Sequence, residues 1–92
     1  MYLVKKTYRK SDDAKFFEDG AFEAYQQKMY RTKWSYEHKI QETDVLRHIH
    51  VWPNEEIYQR WANDPTVLNF ISDLEHYNKE HAITCNEIHA KV

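Results

Sequence analysis

Two alternating stretches in the middle of the chain constrain its fold more than any other feature. Residues 34–41 and 45–52 each alternate between two kinds of side chain, which is the period-2 pattern of a half-buried β-strand. The second stretch is also the richest in β-branched and aromatic residues. Only the polar segment Glu42-Thr43-Asp44 separates them. The sequence therefore predicts a β-hairpin with strands Trp34–Gln41 and Val45–Trp52.

Further elements flank the hairpin on both sides. Alternation predicts a first strand over Met1–Arg9 and a last strand over Ala82–Val92. After the first strand, the N-cap residues Ser11, Asp12 and Asp13 predict a helix in two pieces around Asp19-Gly20. The buried stripe of this helix is expected to contain Phe17, Phe22, Tyr25 and Met29.

A second helical region follows the hairpin and is predicted to bend. Pro53 ends the strand, and Asn54 is a good N-cap with acidic residues directly after it. Asp64-Pro65 then predicts a new helix start, because proline is favoured in the first turn. We therefore expect a break at Asn63-Asp64.

This order of elements indicates a ferredoxin-like α+β fold. A βαββαβ chain forms a four-stranded antiparallel sheet with its helices on one face. The 92 residues suffice for one domain, 1–92. So small a core is expected to need additional stabilisation by a metal, a disulfide or a partner chain. The single cysteine excludes an internal disulfide.

Composition excludes several classes of function. The formal net charge of -2 offers no basic stripe for nucleic acid. One glycine, Gly20, is too few for a phosphate-binding loop or a dinucleotide fingerprint. No apolar run approaches the length of a membrane span, and the first ten residues lack a signal peptide's apolar stretch. We expect a soluble, cytoplasmic protein without a nucleic-acid or membrane partner.

The hairpin pattern also predicts an aromatic and imidazole surface. An odd-numbered loop would place Tyr36 opposite His50 and His38 opposite His48. The helices would cover the other face of the sheet, so we expect a second copy to cover this one in a C2 homodimer. The residues of this surface would be Trp34, Tyr36, His38, Leu46, His48, His50 and Trp52.

The stretch from His50 to Trp61 resembles the antibiotic-biosynthesis-monooxygenase-like branch of the dimeric α/β-barrel superfamily. There, the third strand ends on an aromatic residue, acidic residues begin a helix, and a second aromatic residue lies nine positions after the first. Trp52 and Trp61 reproduce that spacing, and Asp64-Pro65 follows shortly after. The resemblance implies two protomers that close a joint barrel. It also implies a cavity between sheet and helices for a small hydrophobic or aromatic ligand.

The resemblance does not extend to the haem-degrading members of that superfamily. Those members use an asparagine in the first strand, the second tryptophan of the pair, and a histidine ten residues after it. This chain has Trp61, but it has no asparagine in its first strand and has Ile71 at the histidine position. We therefore predict no cofactor.

The histidines of the third strand are the candidates for chemistry. His48 and His50 project to one face about 7 Å apart, and either could act as a general base toward a phenolic substrate. They could also hold a metal if His38, or more remotely His89, supplied a third ligand. Polar packing in a barrel or interface explains the same pattern and is favoured over a metal, so no metal site is predicted.

Two functions remain open at this point. The first is a small cofactor-independent monooxygenase-like enzyme, or a relative that has lost its activity. Its catalytic residues would be His48 and His50, and its substrate-binding residues would be Tyr36, His38, Trp52 and Trp61. The second is a non-catalytic dimeric binding or interaction protein, in which tryptophan and tyrosine rings would fill the cavity.

Overall fold

A computed structural model of the chain describes residues 1–11, 13–34 and 36–92, and it does not describe the side chain of Tyr36. The strands form an antiparallel sheet in the order β2-β3-β1-β4. The predicted ferredoxin-like fold is therefore confirmed, with its second helical region in two parts. The elements are β1 (Tyr2–Arg9), α1 (Gly20–Tyr30), β2 (Tyr36–Gln41), β3 (Val45–Trp52), α2 (Glu55–Ala62), α3 (Pro65–Glu80) and β4 (Thr84–Lys91).

The break between α2 and α3 lies where the capping residues predict it. The Asn54 side chain accepts a hydrogen bond from the backbone N–H of Ile57 at 2.9 Å and caps α2. The Asp64 side chain accepts one from the backbone N–H of Thr66 at 2.9 Å and caps α3, whose first residue is Pro65. No helix among the described residues has the length and apolar character that crossing a membrane requires.

The first helix begins later than its sequence predicts. Its N-cap is Asp19, whose side chain accepts from the backbone N–H of Phe22 at 3.1 Å. Residues 13–19 are neither helix nor strand, so the first of the two predicted helical pieces is wrong, and Asp12 lies outside the described residues. The second piece begins at the predicted break, Asp19-Gly20. The reason is packing, because this segment buries Phe16 in a second cluster with Tyr8.

The buried stripe of α1 also differs from the prediction. The inward residues are Phe22, Gln26 and Tyr30, spaced four apart, whereas Met29 is 45% exposed. Tyr25 is only partly buried, at the edge of the core. The helix therefore carries the polar side chain of Gln26 into the interior.

The register of the hairpin is shifted by one residue from the predicted pairing. The backbone N–H of Glu42 donates to the carbonyl of Val45 at 2.8 Å, which leaves a two-residue loop. Tyr36 pairs with Val51, and His38 pairs with Ile49. Because side chains alternate between faces, this shift places His38 on the face opposite to His48 and His50.

The helices cover the face of the sheet that carries His48 and His50 (the imidazole face), contrary to our expectation that a second copy covers it. Alternate residues of β1 are buried beneath the helices, and Val4 pairs with His50 on that side. His50 is 2% exposed and Trp52 is 0% exposed within one chain. The outer face is instead mixed aliphatic and basic, with Leu3, Lys5, Arg47, Ile49, Val51 and Ile88.

Candidate functional site

A cavity of about 60 Å³ lies between the sheet and the helices. Strands β1 and β3 form its floor, and α1 and α3 form its walls. Phe16, Phe17 and Asp19, which precede α1, contribute to its lining. Half of the lining residues are aromatic or aliphatic, among them Tyr8, Phe16, Phe22, Trp61, Phe70 and Leu74.

The buried polar side chains converge on this cavity. Lys6, Gln26, His50 and Asn78 are the polar residues buried among those the structure describes, and all of them line it. Buried polar groups are normally placed where a hydrogen-bond partner satisfies them. Their concentration at one small cavity marks it as the candidate functional site.

His50 is held as a neutral imidazole at the floor of the cavity. Its Nδ1 atom accepts a hydrogen bond of 2.6 Å from the indole N–H of Trp52. Its Nε2 atom is buried and has no hydrogen-bond partner among the described residues. Burial, with the neighbouring His48 and Lys6, lowers its pKa to about 3. An imidazole with so low a pKa is a weak base, so this geometry does not favour the predicted role of His50 as a general base.

His48 has a different environment two residues earlier. Its Nε2 atom lies 3.0 Å from a carboxylate oxygen of Glu37, on the neighbouring strand β2. The two imidazole rings are 5.1 Å apart, and both line the cavity. The hydrogen bond with His48 lowers the pKa of Glu37. A carboxylate that orients an imidazole is the arrangement found around general bases, so His48 has the better geometry for that role.

Trp61 lies on α2 and joins the polar groups to the aromatic wall. Its indole N–H donates to the amide oxygen of Gln26 at 3.2 Å. The ammonium group of Lys6 lies 5.9 Å from the centre of the Trp61 ring and 3.5 Å from a carboxylate oxygen of Glu87. Trp61 is 4% exposed, so its polar and aromatic contacts are both inside the protein.

The structure brings together some of the predicted site residues and separates the others. His48, His50 and Trp61 line the cavity. Trp52 packs behind it, with its ring 5.6 Å from that of Trp61. His38 is exposed and shares its sheet face with Ile49, its partner on β3. The backbone of Tyr36 pairs with Val51 rather than with His50, and the Tyr36 side chain is not among the described atoms.

A metal site built on the histidines of β3 does not assemble in this geometry. His38 was the expected third ligand, and the hairpin register places it on the face opposite to His48 and His50. In the part of the chain that the structure describes, no group of three His, Cys, Asp or Glu side chains could hold a metal ion.

Sequence reasoning missed Lys6, Gln26 and Asn78. Lys6 stands at an inward position of the alternating first strand, between Val4 and Tyr8, which is an unusual place for a charge. Gln26 lies four residues from both Phe22 and Tyr30, and this spacing could have identified it. Nothing in the sequence around Asn78 distinguishes it from a surface position of α3.

The comparisons with known proteins identify the fold class. No family model and no curated protein matches the chain. The structure is similar to the crystal structure of a "putative antibiotic biosynthesis monooxygenase" from Deinococcus radiodurans, with a TM-score of 0.64 and 10% sequence identity. The similarity covers 100% of this chain and 92% of the other. The resemblance predicted from Trp52 and Trp61 is thus confirmed at the level of the fold, which is monooxygenase-like.

Proposed function

We propose that this protein is a homodimeric, cofactor-independent monooxygenase-like protein that binds a small aromatic molecule between its sheet and helices. The observation that carries the proposal is the cavity lined by aromatic rings on which the buried polar side chains converge. The fold similarity along the whole chain supports it. Aromatic walls with a few converging polar groups are typical of sites for small molecules.

The cavity must widen to accept such a ligand. At about 60 Å³ it has room for a few water molecules, whereas an engineered protein cavity that binds benzene measures about 150 Å³. The segment before α1 is the part best able to move, since residues 14–18 form neither helix nor strand. Phe17 of this segment is only partly buried, and its ring packs 5.7 Å from Phe70 and 5.3 Å from Tyr77. Ligand entry is therefore expected to displace the Phe17 ring.

The proposed reaction oxidises a phenol to a quinone with molecular oxygen. His48, oriented by Glu37, accepts the phenolic proton, and the electron-rich ring carbon of the phenolate then reacts with oxygen. One oxygen atom stays on that carbon, and the other leaves as water with the two hydrogens that the phenol loses. The enclosed apolar cavity excludes bulk water from this reacting ring carbon.

The proposed partner is a second copy of the chain. Leu3, Ile49 and Val51 share the sheet face that the helices leave uncovered, and Ile88 on the same face is 48% exposed. Covering this face would bury aliphatic side chains that one chain leaves partly exposed. Sedimentation should give twice the 11.3 kDa chain mass for the wild type. Ile49→Glu should give the single-chain mass. The control Leu68→Glu, at an exposed position of α3, should keep the doubled mass. A wild type with the single-chain mass would contradict the dimer.

Ligand binding is tested by filling the cavity. Leu74 lines it, whereas Leu68 lies on the same helix and is 48% exposed. We expect Leu74→Phe to weaken 1-naphthol binding by about tenfold or more, and Leu68→Phe to leave it unchanged, as measured by tryptophan fluorescence. Equal affinity in the two variants, or no binding to the wild type, would contradict an aromatic ligand in this cavity.

A non-catalytic binding protein is the second candidate, and the tight ring packing favours it. The Tyr58 ring packs 5.9 Å from that of Trp61, which lines the cavity. Oxygen consumption with 1-naphthol separates the two candidates. The enzyme should form 1,4-naphthoquinone, and Glu37→Gln should slow this reaction with little change in binding. Binding without oxygen consumption would support the second candidate.

A further inference from the structure

The tryptophans at positions 52 and 61 use their indole N–H groups on the two most buried polar side chains of the cavity. An indole N–H can only donate a hydrogen bond. Trp52 donates to Nδ1 of His50, and Trp61 donates to the amide oxygen of Gln26. Each tryptophan therefore occupies an acceptor atom of its partner.

The tautomer of His50 follows from this hydrogen bond. Its Nδ1 atom must carry a lone pair to accept from Trp52, and burial keeps the ring neutral at neutral pH. A neutral imidazole has one N–H, which must then be at Nε2. This N–H is buried and has no acceptor among the described residues. Such an unsatisfied donor in a ring that lines a cavity is unusual and points to a ligand.

Two neighbouring side chains of the cavity, Gln26 and Lys6, also offer donors. With its oxygen bonded to Trp61, Gln26 has its amide NH₂ group left to offer. Lys6 is also a donor only. The acidic side chains of the lining are engaged elsewhere, because Asp19 caps α1 and Glu23 pairs with Lys39 at 3.1 Å. The deep part of the cavity is therefore rich in donors and lacks a free carboxylate.

We infer that the cavity recognises its ligand by an acceptor oxygen, a carbonyl or a phenolate, which is held by the Nε2–H of His50 and the amide of Gln26. Trp52 and Trp61 are positioning residues that fix the donor polarity of these two groups. His50 is thus a hydrogen-bond donor to the ligand, and His48 is left as the base. This inference rests on the proposed function and specifies its ligand class.

Three bicyclic probes of nearly equal size test the inference on the wild type. 1-Indanone carries an acceptor oxygen, indole carries a donor N–H, and indene carries neither. We expect 1-indanone to bind about tenfold more tightly than indene, because it satisfies a buried donor, and indole to bind no more tightly than indene. Equal binding of 1-indanone and indene would overturn the inference and leave the aromatic cavity standing. Failure of all three probes to bind would overturn the aromatic cavity and the inference with it.

Two substitutions at His50 form a matched pair. His50→Leu removes the donor, so 1-indanone and indene should bind equally. His50→Gln keeps an oxygen for Trp52 and an NH₂ group for the ligand, so it should retain the preference for 1-indanone. Loss of that preference in both variants, or its retention in His50→Leu, would overturn the role of the Nε2 donor.

The role of Trp52 has a readout that does not depend on ligand. Nitrogen NMR of the histidine rings distinguishes the two neutral tautomers. The wild type should hold His50 as the pure Nε2–H form at pH 7, and Trp52→Phe should produce a mixture. An Nδ1–H form or a mixture in the wild type, or a pure Nε2–H form in the variant, would overturn the assignment of Trp52.

Discussion

Acid should destabilise this protein through His50, and the size of the effect follows from its burial. The unfolded chain has an ordinary histidine pKa of 6.5, and the folded chain lowers it to about 3. A group whose pKa is lower in the folded state contributes stability above its unfolded pKa, and that contribution is lost as pH falls from 6.5 toward 3. Between pH 7.5 and pH 4.5, His50 alone should reduce the free energy of unfolding by about 3 kcal/mol. That is a large part of the stability of a small domain.

This loss of unfolding free energy is measured by urea denaturation of the wild type and of His50→Gln at these two pH values. All samples have the same protein concentration. The glutamine can still accept the hydrogen bond of Trp52 but does not titrate, so the variant should lose about 3 kcal/mol less than the wild type between the two pH values. His76→Gln is the control, because the His76 side chain is 75% exposed and its variant should follow the wild type. An equal loss in wild type and His50→Gln would refute the buried neutral imidazole.

Two further substitution series test the packing that frames the site. Asp64 caps α3, and its other carboxylate oxygen accepts hydrogen bonds from Tyr25 at 2.5 Å and Tyr30 at 2.6 Å. Asp64→Ala should therefore reduce the free energy of unfolding by about 2 kcal/mol, and Asp64→Asn, which retains an oxygen for the cap, by clearly less. Equal losses in the two would contradict the capping role. Val67→Ala, at a position with 0% exposure, should cost about 2 kcal/mol, whereas Leu68→Ala at the adjacent exposed position should cost less than about 0.5 kcal/mol. Urea unfolding measures both pairs, and similar costs at positions 67 and 68 would contradict the orientation of α3.

The limits of the third strand were predictable from its sequence, but its pairing was not. Val45–Trp52 is a strand in the structure with the predicted ends. Both faces of the hairpin strands carry apolar residues, so the hydrophobic pattern does not select one register, and a loop of two or three residues is compatible with the polar break. A change of one residue in loop length reverses which residues of β2 stand opposite His48 and His50.

The covering of the imidazole face depends on tertiary packing. The first strand alternates Tyr2, Val4, Lys6 and Tyr8 on one side, and the helices cover that side. The partner residues of β3 on the same side are those opposite them in the ladder, including His50. Single-sequence periodicity identifies the two faces of each strand, but the face that meets the helices is set by pairing between distant strands.

The tryptophan pair shows what a sequence pattern can and cannot predict. Its spacing led to the monooxygenase-like fold, which the structural similarity confirms. Its hydrogen bonds were not predictable, since they depend on Gln26 of α1 and His50 of β3 lying next to the two indoles. Gln26 reaches Trp61 because the inward side of α1 carries Phe22, Gln26 and Tyr30.

A crystal structure with 1-indanone bound would test most directly whether the helix-covered side of the sheet is a ligand site. We predict the bicyclic ring between β3 and α3, in a cavity widened by displacement of Phe17. The carbonyl oxygen should lie about 2.7–3.2 Å from Nε2 of His50. A probe bound on the outer face beside Ile49, or a cavity that stays closed in crystals saturated with the probe, would contradict this account.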